Sequence, residues 1–292
     1  MVDHTGPEID SATGVSTTGH EWDGLKELNN PLPRWWLWVF YACIVWAVGY
    51  WFVYPSWPLV SSYSTGVLGW SSRESVEASL AALQAQRGAT MLRLADTPVE
   101  QANADPELLA FSQALGRTAF GDNCAPCHGA GGGGGRGYPN LVDDEWLWGG
   151  SLAQIQQTIT HGVRNADPDS RQGEMPAFVR DGMLPAEEVP VVIEYVRQIA
   201  GLDVLPEADL AKGKEIFEAN CAACHGAEGH GNQELGAPSL VDPIWLYGYD
   251  RKAMTETIRN GRGGVMPTWA ERLDPTTIKA LTIYVHALGG GA

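Results

Sequence analysis

From Trp35 to Tyr54 the chain carries no charged residue, whereas polar and apolar positions intermix on much shorter scales on either side. At about 1.5 Å per residue, a helix over this run spans roughly 30 Å, the thickness of a bilayer core. Trp35, Trp36 and Trp38 crowd one end, and Tyr50, Trp51, Tyr54 and Trp57 the other. Such aromatic belts mark the two membrane–water interfaces. Pro55 and Pro58 stop the helix, so the pattern predicts a transmembrane segment over 35–58. A cleaved signal peptide fits poorly, because the run lies far from the first residue, is too long and lacks a small-residue cleavage site. So long an uncharged run also argues against a buried core helix. Cys43, inside it, reads as a small buried hydrophobe.

Residues 1–34 are polar, hold Pro7, Asn29, Asn30, Pro31 and Pro33, and show no sustained apolar period. The first twenty or so are expected to be disordered. Lys26 and Arg34 precede the apolar run, and the next basic residue after it is Arg73. That asymmetry favours a cytoplasmic N-terminal segment by a small margin.

Beyond the anchor, 59–115 reads as a helical spacer, Ala- and Gln-rich with a break at Thr97-Pro98. The chain then repeats itself. AFGDNCAPCHG, NLVDDEWLWGG, TITHGVR and EMPAF are echoed by IFEANCAACHG, SLVDPIWLYGY, TIRNGRG and VMPTW. Each copy closes on a helical apolar stripe, Val189, Val192, Ile193, Val196 and Ile199 in one, Ile278, Leu281, Thr282, Val285 and Leu288 in the other. Two tandem domains follow, over 116–201 and 207–292.

The repeat carries Cys124, Cys127 and His128 in one copy and Cys221, Cys224 and His225 in the other, both in the order C-x-x-C-H. That order reads as covalent haem c attachment, two thioethers with the adjacent histidine meeting the iron. A redox dithiol would need a βαβ setting that these helical, Gly-rich flanks lack. A zinc site would leave unexplained the downstream Met175-Pro176 and Met266-Pro267, which occupy equivalent places in the repeat. Methionine sulfur opposite histidine fills the sixth iron position and raises the potential. The expected metal ligands are therefore His128, Met175, His225 and Met266. The expected fold class is all-α, one N-terminal transmembrane helix followed by two tandem class I cytochrome c-like domains.

Two irons capped on both faces favour outer-sphere electron transfer over peroxide or oxygen chemistry, so no catalytic site is expected in this chain. Met183 and Met254 lack counterparts in the other copy and read as packing residues; His4, His20, His161, His230 and His286 read as no repeated ligand. The Gly131–Gly135 run lacks the Lys-Ser/Thr of a phosphate loop and suits close approach to a porphyrin edge. Arg136, Arg164 and Arg262 are candidate partners of haem propionates, and Trp146 and Trp245 recur as packing residues.

Of 292 residues, 35 are acidic and 19 basic, a net charge of −16 without a basic stripe. Nucleic acid is not an expected partner, and an acidic carrier steers basic proteins toward itself.

EWDGLKELNNPLPRWW, running directly into the apolar helix, resembles the N-terminal signature of the dihaem subunit, CcoP or FixP, of cbb3-type cytochrome c oxidases. Signature, single helix, spacer and paired haem motifs together extend that resemblance over essentially the whole chain. It implies a subunit of the bacterial inner membrane with its haem domains on the periplasmic side. Electrons would come from a donor cytochrome c or quinol–cytochrome c reductase. They would leave through the monohaem cytochrome c subunit for the haem–copper subunit, which reduces oxygen and moves protons. The family's ligands carry over to Cys124, Cys127, His128, Met175, Cys221, Cys224, His225 and Met266. Whether each methionine serves its own motif or the other one stays open. A membrane-tethered shuttle, a dehydrogenase cytochrome subunit and a dihaem peroxidase are the alternatives.

Overall fold

The computed structural model describes residues 7–289, in two units, 1–85 and 86–292. His4 and the first part of the segment expected to be disordered lie outside the described residues. The later part of that segment is ordered. Strand β1 (Thr17–Trp22) pairs antiparallel with β2 (Leu25–Leu28), Trp22 facing Leu25. The turn is Asp23-Gly24, both at positive φ (48° and 83°), the geometry that Asp-Gly supplies to tight hairpins. Helix α1 (Arg34–Val53) follows and ends just before Pro55. None of its side chains is buried, and Cys43 is exposed on it, so the apolar surface is offered whole to its surroundings. Helix α2 runs Ser72–Asp96.

The second unit holds α3 (Val99–Ala104), α4 (Pro106–Asn123), α5 (Ala125–His128), α6 (Leu152–His161) and α7 (Val189–Ile199). After these come α8 (Leu210–Asn220), α9 (Ala222–His225), α10 (Arg251–Asn260) and α11 (Pro275–His286). Local chemistry sets the starts. Asp105 accepts from the Glu107 and Leu108 amides with Pro106 at the first turn of α4, and Ser151 and Gln154 form a capping box on α6. Among the described residues, β1–β2 is the only sheet in an otherwise helical fold.

The copies of the repeat are not the units of packing. Helix α4 of the first copy crosses α11 of the second, and α8 of the second crosses α7 of the first. Each crossing is tight because a glycine stands in it. A Cβ on Gly116 would lie 2.5 Å from the Ala280 carbonyl oxygen, and one on Gly213 would lie 2.7 Å from that of Val191. Phe120, Ile155, Ile159, Ile278, Leu281 and Val285 form one core; Phe217, Val189, Val192, Ile193, Val196 and Met254 belong to the other. The expected spans 116–201 and 207–292 therefore describe the repeat, while each core takes its motif from one copy and its last helix from the other. The cause is the repeat itself, since both first helices present the same Gly-x-x-x-Phe face and both last helices the same aliphatic stripe.

The 59–115 span is also more than a spacer. Leu94, Val99, Ala102 and Leu108 pack with Ala280 and Ile283, and Lys279 donates to the carbonyls of Leu94, Ala95 and Thr97. A cation there satisfies carbonyls that the end of α2 leaves free. Charged groups join α7 to α10. Buried Glu194 on α7 accepts from Arg251 of α10 at 2.6 and 3.1 Å and from the Leu205 amide at 2.9 Å. Buried Arg197 reaches the Tyr249 carbonyl at 2.8 Å and pairs with Asp203.

Candidate functional site

Each C-x-x-C-H follows directly from a helix of a crossing. Cys124 caps α4, and its carbonyl accepts from the amides of Cys127 (3.1 Å) and His128 (2.9 Å). Cys221 caps α8 and accepts from Cys224 and His225 at the same distances. One turn of backbone thus gathers two thiols and an imidazole. All four thiols are free. Burial pushes the Cys124 and Cys221 thiols up to about 11, while Cys127 and Cys224 are exposed.

The imidazoles are oriented by partners that the sequence reading overlooked. His128 Nδ1 lies 3.0 Å from the Pro139 carbonyl oxygen, and His225 Nδ1 lies 2.9 Å from that of Pro238. Nδ1 donates there, which fixes the tautomer and frees Nε2 for a metal. Burial lowers the His225 pKa, favouring the neutral ring. The signal was present, because both prolines precede a polar residue and Leu-Val in the repeat (PNLV and PSLV).

Met266 packs in the core that contains Cys124 and Trp146, and Met175 packs in the core that contains Cys221 and Trp245. The methionines are thus brought to the motifs of the opposite copies. The strands that carry them cross side by side. Val163 and Met266 exchange two backbone hydrogen bonds, both 2.9 Å, and so do Arg262 and Met175. Gly162 and Gly261, each at φ 70°, make the approach possible. A Cβ at Gly162 would sit 2.4 Å from the Met266 carbonyl oxygen, and one at Gly261 2.5 Å from that of Met175.

The three arginines expected near propionates separate. Arg136 is exposed on a cleft of about 690 Å³ lined by residues of both copies, 3.9 Å from Glu256. Arg164 donates to two backbone carbonyls, those of Gly264 and Gly173. Arg262 lies over the Tyr247 ring at 4.4 Å, with Nε donating to Thr257 Oγ1 at 3.0 Å. Its true counterpart is Arg171, which lies over Trp148 at 5.5 Å with Nε 3.3 Å from Thr158 Oγ1. A segment present only in the first copy, 163–170, hides this pairing from sequence inspection, although Arg171 pairs with Val163 where the segment ends.

Of the remaining candidates, Met254 is buried in the second core as expected, but Met183 is 53% exposed and packs no core. It lies in a polar turn after Asp181-Gly182, outside any helix that could carry it inward. His161 Nδ1 lies 3.1 Å from Asp167 Oδ2; His20 and His230 are exposed and His286 is half-buried.

The donor set fits haem c. Each core offers two thiols, an oriented imidazole and a thioether, which is the ligand chemistry of covalent, six-coordinate haem. No other group proposed from the sequence uses all four.

Three family models match successive stretches of the chain. The N-terminal domain of cytochrome oxidase-cbb3, FixP, matches residues 14–61; cytochrome c matches 113–200; cytochrome c oxidase, cbb3-type, subunit III matches 208–285. A cbb3-type cytochrome c oxidase subunit FixP of Azorhizobium caulinodans is 59% identical over 97% of this chain and 96% of its own. The FixP subunit of Bradyrhizobium diazoefficiens is 56% identical over the full length of both chains. The CcoP subunit of Azospirillum brasilense is 49% identical over 97% of this chain and 98% of its own.

Proposed function

Since the chain belongs to the FixP/CcoP family of cbb3-type cytochrome c oxidase subunits, we propose that it is the membrane-anchored electron-transfer subunit of such an oxidase. It carries two haem c groups with exchanged methionines. The first is held by Cys124, Cys127, His128 and Met266, the second by Cys221, Cys224, His225 and Met175. The observation that carries this reading is the packing of Met266 with Cys124 and of Met175 with Cys221.

Bound haem c supplies a one-electron iron couple whose potential a His/Met ligand pair holds high. The protein's part is to fix the ligands and exclude other chemistry. Pro139 and Pro238 hold the imidazoles in the tautomer that presents Nε2. The crossing of the methionine strands holds Met266 with Cys124 and Met175 with Cys221, where their sulfurs would complete each ligand set and would exclude oxygen or peroxide. Arg171 and Arg262, each resting on an aromatic ring, offer a cation to an anionic cofactor edge.

Helix α1 anchors the chain, with residues before it cytoplasmic and the haem-bearing residues periplasmic. The oxidase's haem–copper subunit and monohaem cytochrome subunit receive the electrons, and a basic donor cytochrome c or quinol–cytochrome c reductase supplies them. The acidic net charge suits such a donor by long-range attraction.

Affinity purification of the full chain from membranes tests this reading. It predicts co-purification of haem b and copper with two haem c per chain, all haem c low-spin in both oxidation states. A chain that purifies alone, or turns over peroxide with a high-spin haem c, contradicts it.

A further inference from the structure

We propose that Arg164 is a positioning residue for both axial methionines, a single side chain that clamps the two ligand strands at their crossing and so couples the two haem sites. The proposal rests on the exchanged ligation set out above. Arg164 Nε donates to the Gly264 carbonyl at 2.6 Å, and Nη1 donates to the Gly173 carbonyl at 2.5 Å. Gly264 lies two residues before Met266, and Gly173 two residues before Met175. One guanidinium therefore grips both strands at the same distance from their sulfur-bearing residues.

Three further features support the clamp. Arg164 stands at φ 51°, a left-handed conformation that strains a non-glycine residue and persists only where its surroundings hold it. Its neighbour Asn165 donates from Nδ2 to the Met266 carbonyl at 2.8 Å and to that of His161 at 2.8 Å. Both residues sit in the 163–170 segment that the second copy lacks, so the clamp is one-sided while the crossing it closes is two-fold.

The planar fork explains the choice of residue. Two N–H groups in fixed geometry reach two carbonyls at once, whereas a lysine ammonium on a flexible stem holds them with less orientation. Loosening the clamp loosens both strands together, because this side chain bonds to both of them, beside the Val163–Met266 and Arg262–Met175 backbone pairs and the Asn165 bond to Met266.

The test uses the full chain in the assembled oxidase, with the methionine–iron charge-transfer absorption and the midpoint potential read at each haem c. Arg164→Gln is expected to weaken both absorptions and lower both potentials together. Arg164→Lys, which keeps the charge, is expected to recover them only in part, and Arg180→Gln on the exposed surface to change neither. A change confined to one haem overturns the proposal. So does an Arg164→Gln protein with both absorptions intact, or full recovery by lysine, which would make Arg164 a charge and not a clamp. If the unmutated chain lacks two methionine–iron absorptions, the ligation reading fails instead.

Discussion

The ring of Phe120 lies against that of Tyr284, centroids 5.4 Å apart and tilted by 55°. Tyr195 and Phe217 repeat the contact at the same separation and tilt. Each pair joins the first helix of one copy to the last helix of the other, and each sits one turn from a glycine that lets the backbones meet. Aromatic pairs of this kind contribute about 0.5–1.5 kcal/mol beyond the area they bury, and the crossings carry the motifs directly.

Gly116→Val and Gly213→Val therefore strike the crossings where they are closest. The added atoms meet backbone carbonyls at 2.5 and 2.7 Å that cannot swing aside. Overpacking of this kind costs about 1–3 kcal/mol. Thermal unfolding of the haem-loaded chain is expected to begin at lower temperature in both variants, and an unchanged unfolding midpoint would contradict the packing described.

Much of this arrangement was legible in the sequence. The repeat, the motifs, the two apolar stripes and the paired Met-Pro steps all appear in their expected places. The exchange was not legible, and for a physical reason. Gly116 and Gly213, Phe120 and Phe217 make the two first helices interchangeable as partners, so periodicity identifies the faces that meet without saying which copy supplies each. Arg171 was hidden because the 163–170 segment displaces it from the position opposite Arg262. The hairpin over 17–28 was missed because polar composition outweighed one strong local signal, Asp23-Gly24.

Acid should weaken the α7–α10 junction. The Arg251 guanidinium beside Glu194, with the Leu205 amide, holds its carboxyl below the ordinary value near 4.5, against the opposing effect of burial. A lowered carboxylate stabilises the fold fully above the unfolded value, and that contribution is lost as pH falls through the folded one. Glu194→Gln is expected to be less stable than the unmutated chain at neutral pH and to lose less between pH 5 and 3. Unfolding midpoints across that range check this; parallel curves would contradict it.

Arg171 and Arg262 are expected to act on separate haems. A cation near the cofactor favours the reduced, less positive state, so its removal lowers the potential. Arg171→Gln and Arg262→Gln should each lower the potential of one haem, a different one in each variant. Redox titration of each variant decides this, and equal shifts at both haems in either variant would count against it.

The most direct test of the whole account is an experimental structure of the haem-loaded chain in its oxidase, at a resolution that shows the sulfur–iron bonds. It should find Met266 Sγ bonded to the iron held by His128, and Met175 Sγ bonded to the iron held by His225. Bonding of Met175 to the His128 iron, or an iron without methionine, would contradict it.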